Sequence, residues 1–147
     1  MLTSENPLSS YQKIATQTAS PGQLVLMLYD GAIRFLERAL SAFQSTDPLE
    51  FNQTINNNVI RAQEIINHLN DSLNLDQGGE LAGTLRRLYR YMHRQLTQSN
   101  VRKSPEGIHE TIAHLTTLRD AWSQMLRQTQ PGLPAAQSHF AAALSRS

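Results

Sequence analysis

The sequence predicts an all-α fold: an antiparallel up-down-up-down four-helix bundle with a flexible N-terminal arm and a C-terminal tail. Three observations carry that expectation. Apolar residues recur at spacings of three and four along four separate stretches, the period of one face of an α-helix. Three of the stretches open on a proline set directly behind a residue that can cap a helix. The connections between stretches are short, which makes neighbouring helices antiparallel. No alternating strand pattern and no Gly-rich phosphate loop is found anywhere.

Taken in order, residues 1–19 are polar, with scattered Leu2, Leu8, Tyr11 and Ile14, and read as an arm that could cap a groove. Residues 20–130 hold the bundle, and residues 131–147 form the tail. Ser20, Pro21 and Gln23 make a capping-box start. Behind it Leu24, Leu28, Gly31, Phe35 and Ala39 form a stripe, widened by Val25, Ala32, Leu36, Leu40 and Phe43, which predicts a helix over 21–44. Leu26, Met27 and Tyr29 flank that stripe and give this helix surplus apolar surface. Asp47, Pro48 and Glu50 repeat the start signal, and Ile55, Val59, Ala62, Ile66, Leu69 and Leu73 make a bundle seam over 48–74.

Asp76-Gln77-Gly78-Gly79 predicts a turn. A third helix follows from Glu80 to about Asn100, with Leu81, Leu85, Leu88, Met92 and Leu96 inward. Ser104-Pro105-Glu106 opens the fourth, whose stripe is Ile108, Ile112, Leu115, Leu118, Trp122, Met125 and Leu126. Gln130-Pro131-Gly132-Leu133-Pro134 stops it.

A chain of 147 residues suits one domain. Its formal charge of +1 is too weak a balance to imply nucleic acid or an acidic membrane as the main partner. With no cysteine, disulfides and thiolate chemistry are excluded. No apolar run approaches the ~20 residues of a membrane span, so no stable membrane insertion is expected. Met1 to Ser10 lacks the basic start and apolar stretch of a secretory signal, and a cytosolic location is expected.

Catalysis finds no positive evidence in the sequence. A di-metal bundle needs inward carboxylates and two Glu-x-x-His pairs, and only Glu106 with His109 has that spacing; Glu64 and His68, and Glu110 and His114, are four apart. No metal and no cofactor is expected. A phosphotransfer bundle would use a lone exposed histidine, and His93 beside Arg90 and Arg94 is the candidate for that alternative. Arg86, Arg87, Arg90, Arg94, Arg102 and Lys103, interleaved with Tyr89 and Tyr91, make the third helix and its exit basic. That pattern fits a charged solvent face, a nucleic-acid surface, or a rim that steers an acidic polypeptide; the near-neutral total favours the first and last.

Several strings carry a resemblance. Ala19-Ser20-Pro21-Gly22-Gln23-Leu24-Val25-Leu26-Met27-Leu28-Tyr29-Asp30-Gly31-Ala32 resembles the opening of the first long helix of the flagellar export chaperone family, FliS. Gly78-Gly79-Glu80-Leu81-Ala82, running on through Leu85, Leu88, Tyr89 and Tyr91-Met92, is similar to its third-helix signature. Leu118-Arg119-Asp120-Ala121-Trp122 is similar to its fourth, and Tyr11-Gln12 to its N-terminal Tyr-Gln. The likeness covers about residues 10–127; Gly83 and Thr84 depart from it where an Asn-containing string is common, and the tail is longer than typical. The resemblance implies a cytosolic bundle that binds the C-terminal region of flagellin, prevents its polymerisation and helps deliver it to the flagellar type III export gate. Contacts with other flagellar regulatory proteins stay open.

On that reading the expected client contacts are Leu28, Tyr29, Ile55, Val59, Leu88, Tyr89 and Met92. The seam spacing of Ile55, Val59 and Leu88 also fits plain core, whereas the hydroxyls of Tyr29 and Tyr89 favour a wet edge. Asn56, with Asn57 and Asn58, could bond client backbone or simply face water. Tyr11 and Ile14 could plug a groove in competition with the client.

Overall fold

The computed structural model describes residues 20–128, which form four α-helices: α1 (Pro21–Ala42), α2 (Pro48–Asp71), α3 (Leu75–Arg102) and α4 (Glu106–Gln128). At 1.5 Å per residue α1, α2 and α4 are rods of roughly 33–36 Å, and α3 runs a similar length beyond its break at Gly79. The order around the bundle is α1, α2, α3, α4, each packing on its sequence neighbours and α1 closing the ring against α4. Cross-links fix the directions. Gly22 at the start of α1 meets Trp122 late in α4, and Asn56 early in α2 meets Asn100 late in α3. The predicted up-down-up-down bundle is what the chain forms.

The starts follow their sequence signals. Ser20 Oγ accepts from the Gln23 amide at 3.2 Å while Gln23 Oε1 accepts from the Ser20 amide, the reciprocal pair of a capping box. At α2 Asp47 Oδ1 accepts from the Leu49 amide at 3.0 Å. Glu50 completes no reciprocal bond there; the Asp47 amide instead donates to Ser45 Oγ. At α4 Ser104 Oγ donates to the Glu106 carboxylate, and that bond is the main reason the carboxyl titrates below its usual range.

The ends differ from expectation. α1 stops at Ala42 and not 44, because Phe43, Gln44 and Ser45 donate to carbonyls three residues back and tighten the last turn. That turn sets Phe43 edge-on to Phe51, ring centres 5.4 Å apart. α2 stops at Asp71 and not 74, closed by Ser72, whose hydroxyl donates to the Leu69 carbonyl at 2.8 Å. The stretch read as a turn at 76–79 begins as helix, and only Gly79 breaks it (φ 60, ψ −138), a conformation that glycine takes without strain. α3 runs past Asn100 to Arg102. Lys103 then takes the left-handed position (φ 51) usually given to glycine, and the Ser104 amide donates to the Ser99 carbonyl at 3.0 Å. Lys103 Nζ supports this end by donating to the Asn100 carbonyl at 2.8 Å.

The core is apolar and continuous. Leu36, Ile55, Val59, Ile65, Ile66, Met92, Leu96, Ile108, Leu115 and Leu118 are all buried. Each contributes about 1.5–3 kcal/mol of burial relative to exposure. α1 and α2 share the most extensive contact of any pair, and α3 and α4 the least. Near one end α3 and α4 still approach closely at Gly107, where a Cβ would overlap Ser99 Oγ and lie 3.0 Å from the Gln95 carbonyl oxygen. Trp122 Nε1 donates to the Gly22 carbonyl at 2.7 Å and Leu126 packs over Gly22, so the start of α1 and the end of α4 share one pole.

Candidate functional site

The expected contact residues fall into five groups, the tyrosine pair and Asn56 making up the last two. Leu28, Ile55, Val59 and Met92 lie in the sealed core, none more than 2% exposed. Leu88 sits half-buried on α3 against that core. Tyr11 and Ile14 fall outside the described residues.

Tyr29 and Tyr89 correct the wet-edge expectation. They are 1% and 3% exposed, and their hydroxyl oxygens lie 2.6 Å apart across the diagonal from α1 to α3. A phenol needs a polar partner once water is gone, and each ring supplies the other's. Burial is the largest cause of both shifts in acidity. It pushes Tyr29 well above 10, with the charge of Tyr89 adding to the rise, and takes Tyr89 up to about 12 despite its bond from Tyr29.

Asn56 is half-buried, and it is engaged within the bundle. Its Oδ1 accepts from Asn100 Nδ2 at 2.9 Å, and Asn100 Oδ1 in turn accepts from Lys103 Nζ at 2.6 Å. Two turns along, Gln63 Nε2 donates to Thr97 Oγ1 at 2.8 Å and to the His93 carbonyl at 3.1 Å. The outer edge of the α2–α3 seam is therefore laced by amides. Asn58 bonds the Thr54 carbonyl of its own helix, and Asn57 is exposed. Burial lowers the pKa of the Lys103 ammonium below its ordinary value.

Apolar surface remains at the margins of the core. Leu24, Val25 and Trp122 are half-buried at the pole shared by α1 and α4, and Leu81 joins Leu88 half-buried along α3 beside α4, the least closely packed pair. The periodicity had marked these positions as stripe residues, but it does not tell a stripe's centre from its half-covered edge. On the same α3–α4 side, Tyr91 donates to Glu110 at 2.8 Å and accepts from Gln95 at 2.7 Å, with His114 edge-on to the tyrosine ring. Between α1 and α4 a shallow charged depression is lined by Asp30, Ile33, Arg34, Glu37, Thr116 and Arg119. Asp30 holds Arg119 Nε at 2.5 Å, and that bond, with Asp120, raises the guanidinium's pKa.

Among the described residues no three His, Cys, Asp or Glu side chains gather where they could hold a metal ion. Nothing there favours the His93 phosphotransfer reading either: its side chain is half-buried, and its carbonyl is committed to Gln63 and Thr97. Among the described residues no helix is long and apolar enough to cross a membrane.

The class defined by this fold and these surfaces is an antiparallel four-helix bundle with a sealed core, an amide-laced seam and half-covered apolar margins. Within that class the chain belongs to the FliS family, "Flagellar protein FliS", whose family model matches residues 4–129. It is 37% identical over 123 residues to the flagellar secretion chaperone FliS of Bacillus subtilis, covering 84% of this chain and 88% of that one. It is also 37% identical over 112 residues to the protein of the same description from Salmonella typhimurium, covering 76% and 80%. With the Vibrio cholerae protein it shares 30% over 122 residues, 80% and 87% of the two chains.

Proposed function

We propose that this protein is a cytosolic, non-enzymatic export chaperone. It binds the C-terminal region of flagellin, keeps it from polymerising prematurely, and assists its delivery to the flagellar type III export apparatus. The observation that carries this reading is the family match from residue 4 to residue 129, with relatives described as flagellar secretion chaperones over most of their length.

The physical account starts from the half-covered margins. A client segment that is amphipathic when ordered lays its apolar face on apolar side chains that the bundle has not sealed. Leu81 and Leu88 beside α4, and Leu24, Val25 and Trp122 at the shared pole, supply such side chains. Leu28, Tyr29, Ile55, Val59, Tyr89 and Met92 take part by setting how the four helices pack, because the described bundle covers them. The ordering entropy of the client offsets part of the contact energy, so the hold is reversible, as export requires. Tyr11 and Ile14 compete for the same margin in this proposal.

Co-expression with a flagellin C-terminal peptide of about 45 residues, long enough for more than one helix in a groove, followed by size-exclusion chromatography, tests the function. One-to-one co-elution is expected; a folded bundle eluting alone refutes it. Removing residues 1–17 tests the competition. Tighter peptide binding is expected, and unchanged affinity and unchanged protease sensitivity refute competition by Tyr11 and Ile14.

A further inference from the structure

From Thr84 to Arg102, α3 carries Arg86, Arg87, Arg90, Arg94 and Arg102 and not one Asp or Glu. The whole chain is only +1, so positive charge is concentrated here and the remainder is net acidic. Arg87, Arg90, Arg94 and Arg102 are exposed. Among the described residues none of them is in an ion pair, in contrast to Arg119 on α4, which Asp30 and Asp120 hold. Arginines packed this closely repel one another, and Arg87 spends one donor on Thr84 Oγ1 of its own helix at 3.2 Å.

The stripe has a geometry. Arg87, Arg94 and Val101 are seven residues apart, so they lie along one line of the helix at intervals of about 10 Å. Val101 is 77% exposed. On α2, Ile60 lies between Asn56 and Gln63, whose bonds to Asn100 and Thr97 set it beside this part of α3, and it is 40% exposed. A basic line thus ends on one uncovered apolar side chain, Val101, with a second, Ile60, alongside it on α2.

We infer that this α2–α3 face docks an acidic amphipathic helix of another protein, with carboxylates repeating every two turns and an apolar side chain at one end. Such a helix repeats its side chains at the same interval as the arginine line, so guanidinium and carboxylate meet in register. Exposed charges of this kind steer encounter and choose the partner's sign more than they add affinity. Nucleic acid fits less well. Tyr89, which would stack on a base, is buried, Tyr91 is bonded to Glu110, and phosphates have no use for Ile60 and Val101. The face is separate from the α4-side margin assigned to the flagellin segment.

The probe is a synthetic helix of about three heptads with Glu at every seventh position and Leu beside it near one end. Its binding to the full chain is followed by fluorescence anisotropy. Its Lys-for-Glu and Ser-for-Leu versions, and a short DNA duplex, are measured alongside. Binding of the acidic helix is expected to weaken at least about tenfold on raising salt from about 0.05 to 0.3 M, where the screening length more than halves. A loss of similar size is expected for the combined Arg87→Glu, Arg90→Glu, Arg94→Glu protein, and a smaller one for Ile60→Gln with Val101→Gln. The charge-neutral Arg→Gln triple variant, checked for helicity, serves if the reversed one is unstable. Flagellin-peptide binding should be unchanged in all of them. Equal binding of the acidic helix by wild type and the triple variant overturns the inference. So does duplex DNA binding as tightly as the acidic helix, or a Ser-for-Leu helix binding as well as its parent.

Discussion

α2 has two neighbours, and it is joined to them by different means. Toward α1 the contact is the most extensive in the molecule, and from Gly31 to Ala42 α1 buries only small and apolar residues: Gly31, Ala32, Phe35, Leu36, Ala39 and Ala42. Toward α3 the outer edge is held by Asn56 on Asn100 and Gln63 on Thr97. The first joint supplies stability, since area removed from water has no direction and tolerates small shifts. The second supplies register, since an amide pair is satisfied at one displacement along the helix and not at the next turn.

Breaking the first joint should cost most. Leu36→Ala, at a fully buried position, is expected to destabilise the bundle by about 2–5 kcal/mol in urea denaturation, the transfer cost plus that of the cavity. The diagonal tyrosine pair comes next. Tyr29→Phe leaves the Tyr89 hydroxyl buried without its partner, and about 1–3 kcal/mol should be lost. Adding Tyr89→Phe should then cost far less than the first change did, so a double-mutant cycle reads a favourable coupling. If the two losses simply add, the hydroxyl contact contributes nothing.

The same pair predicts behaviour in alkali. Both folded values are raised above the ordinary 10, so the stabilisation due to neutral phenols is complete below pH 10. It is lost as pH climbs through about 12, because the unfolded chain releases its protons first. Of the four tyrosines in the sequence, Tyr29 and Tyr89 should ionise only as helicity disappears, followed by ultraviolet absorbance and circular dichroism together. The double Phe variant should lose that part of the pH dependence.

Breaking the second joint should cost least and show a different signature. Asn100→Ala removes the partner of Asn56 and one of the two acceptors of Lys103, leaving its bond to the backbone carbonyl, at a half-buried site, for about 0.5–1.5 kcal/mol. Its main effect is expected in amide exchange at the end of α3, where the Lys103 turn should open more often while α1 is unchanged. Uniform acceleration across all four helices would mean that the amides contribute stability and not register.

Much of this was legible in the sequence. Pro21, Pro48 and Pro105 mark three helix starts to within a residue, because capping is local chemistry. The seam residues Ile55, Val59, Ala62, Ile66 and Leu69 are buried, because period decides which face turns inward, while Leu73, beyond the end of α2, is half-buried. Helix ends were less legible. Ala42 and Asp71 end their helices early through tightened turns and a serine hydroxyl that compete with continued periodicity. Pairings between distant residues left no local trace at all. The Tyr29 hydroxyl meets one sixty positions away and Asn56 an amide forty-four away, so residues that read as polar contacts proved to be engaged with each other.

The indole of Trp122 on the Gly22 carbonyl has a practical side. It brings Ser20 and Gln128 to the same pole, where Leu24 and Val25 lie half-buried, so a reporter placed on either residue sits over them. An assay that needs this pole clear should carry its label at the far pole, where residues 43–47 and 103–105 link the helices.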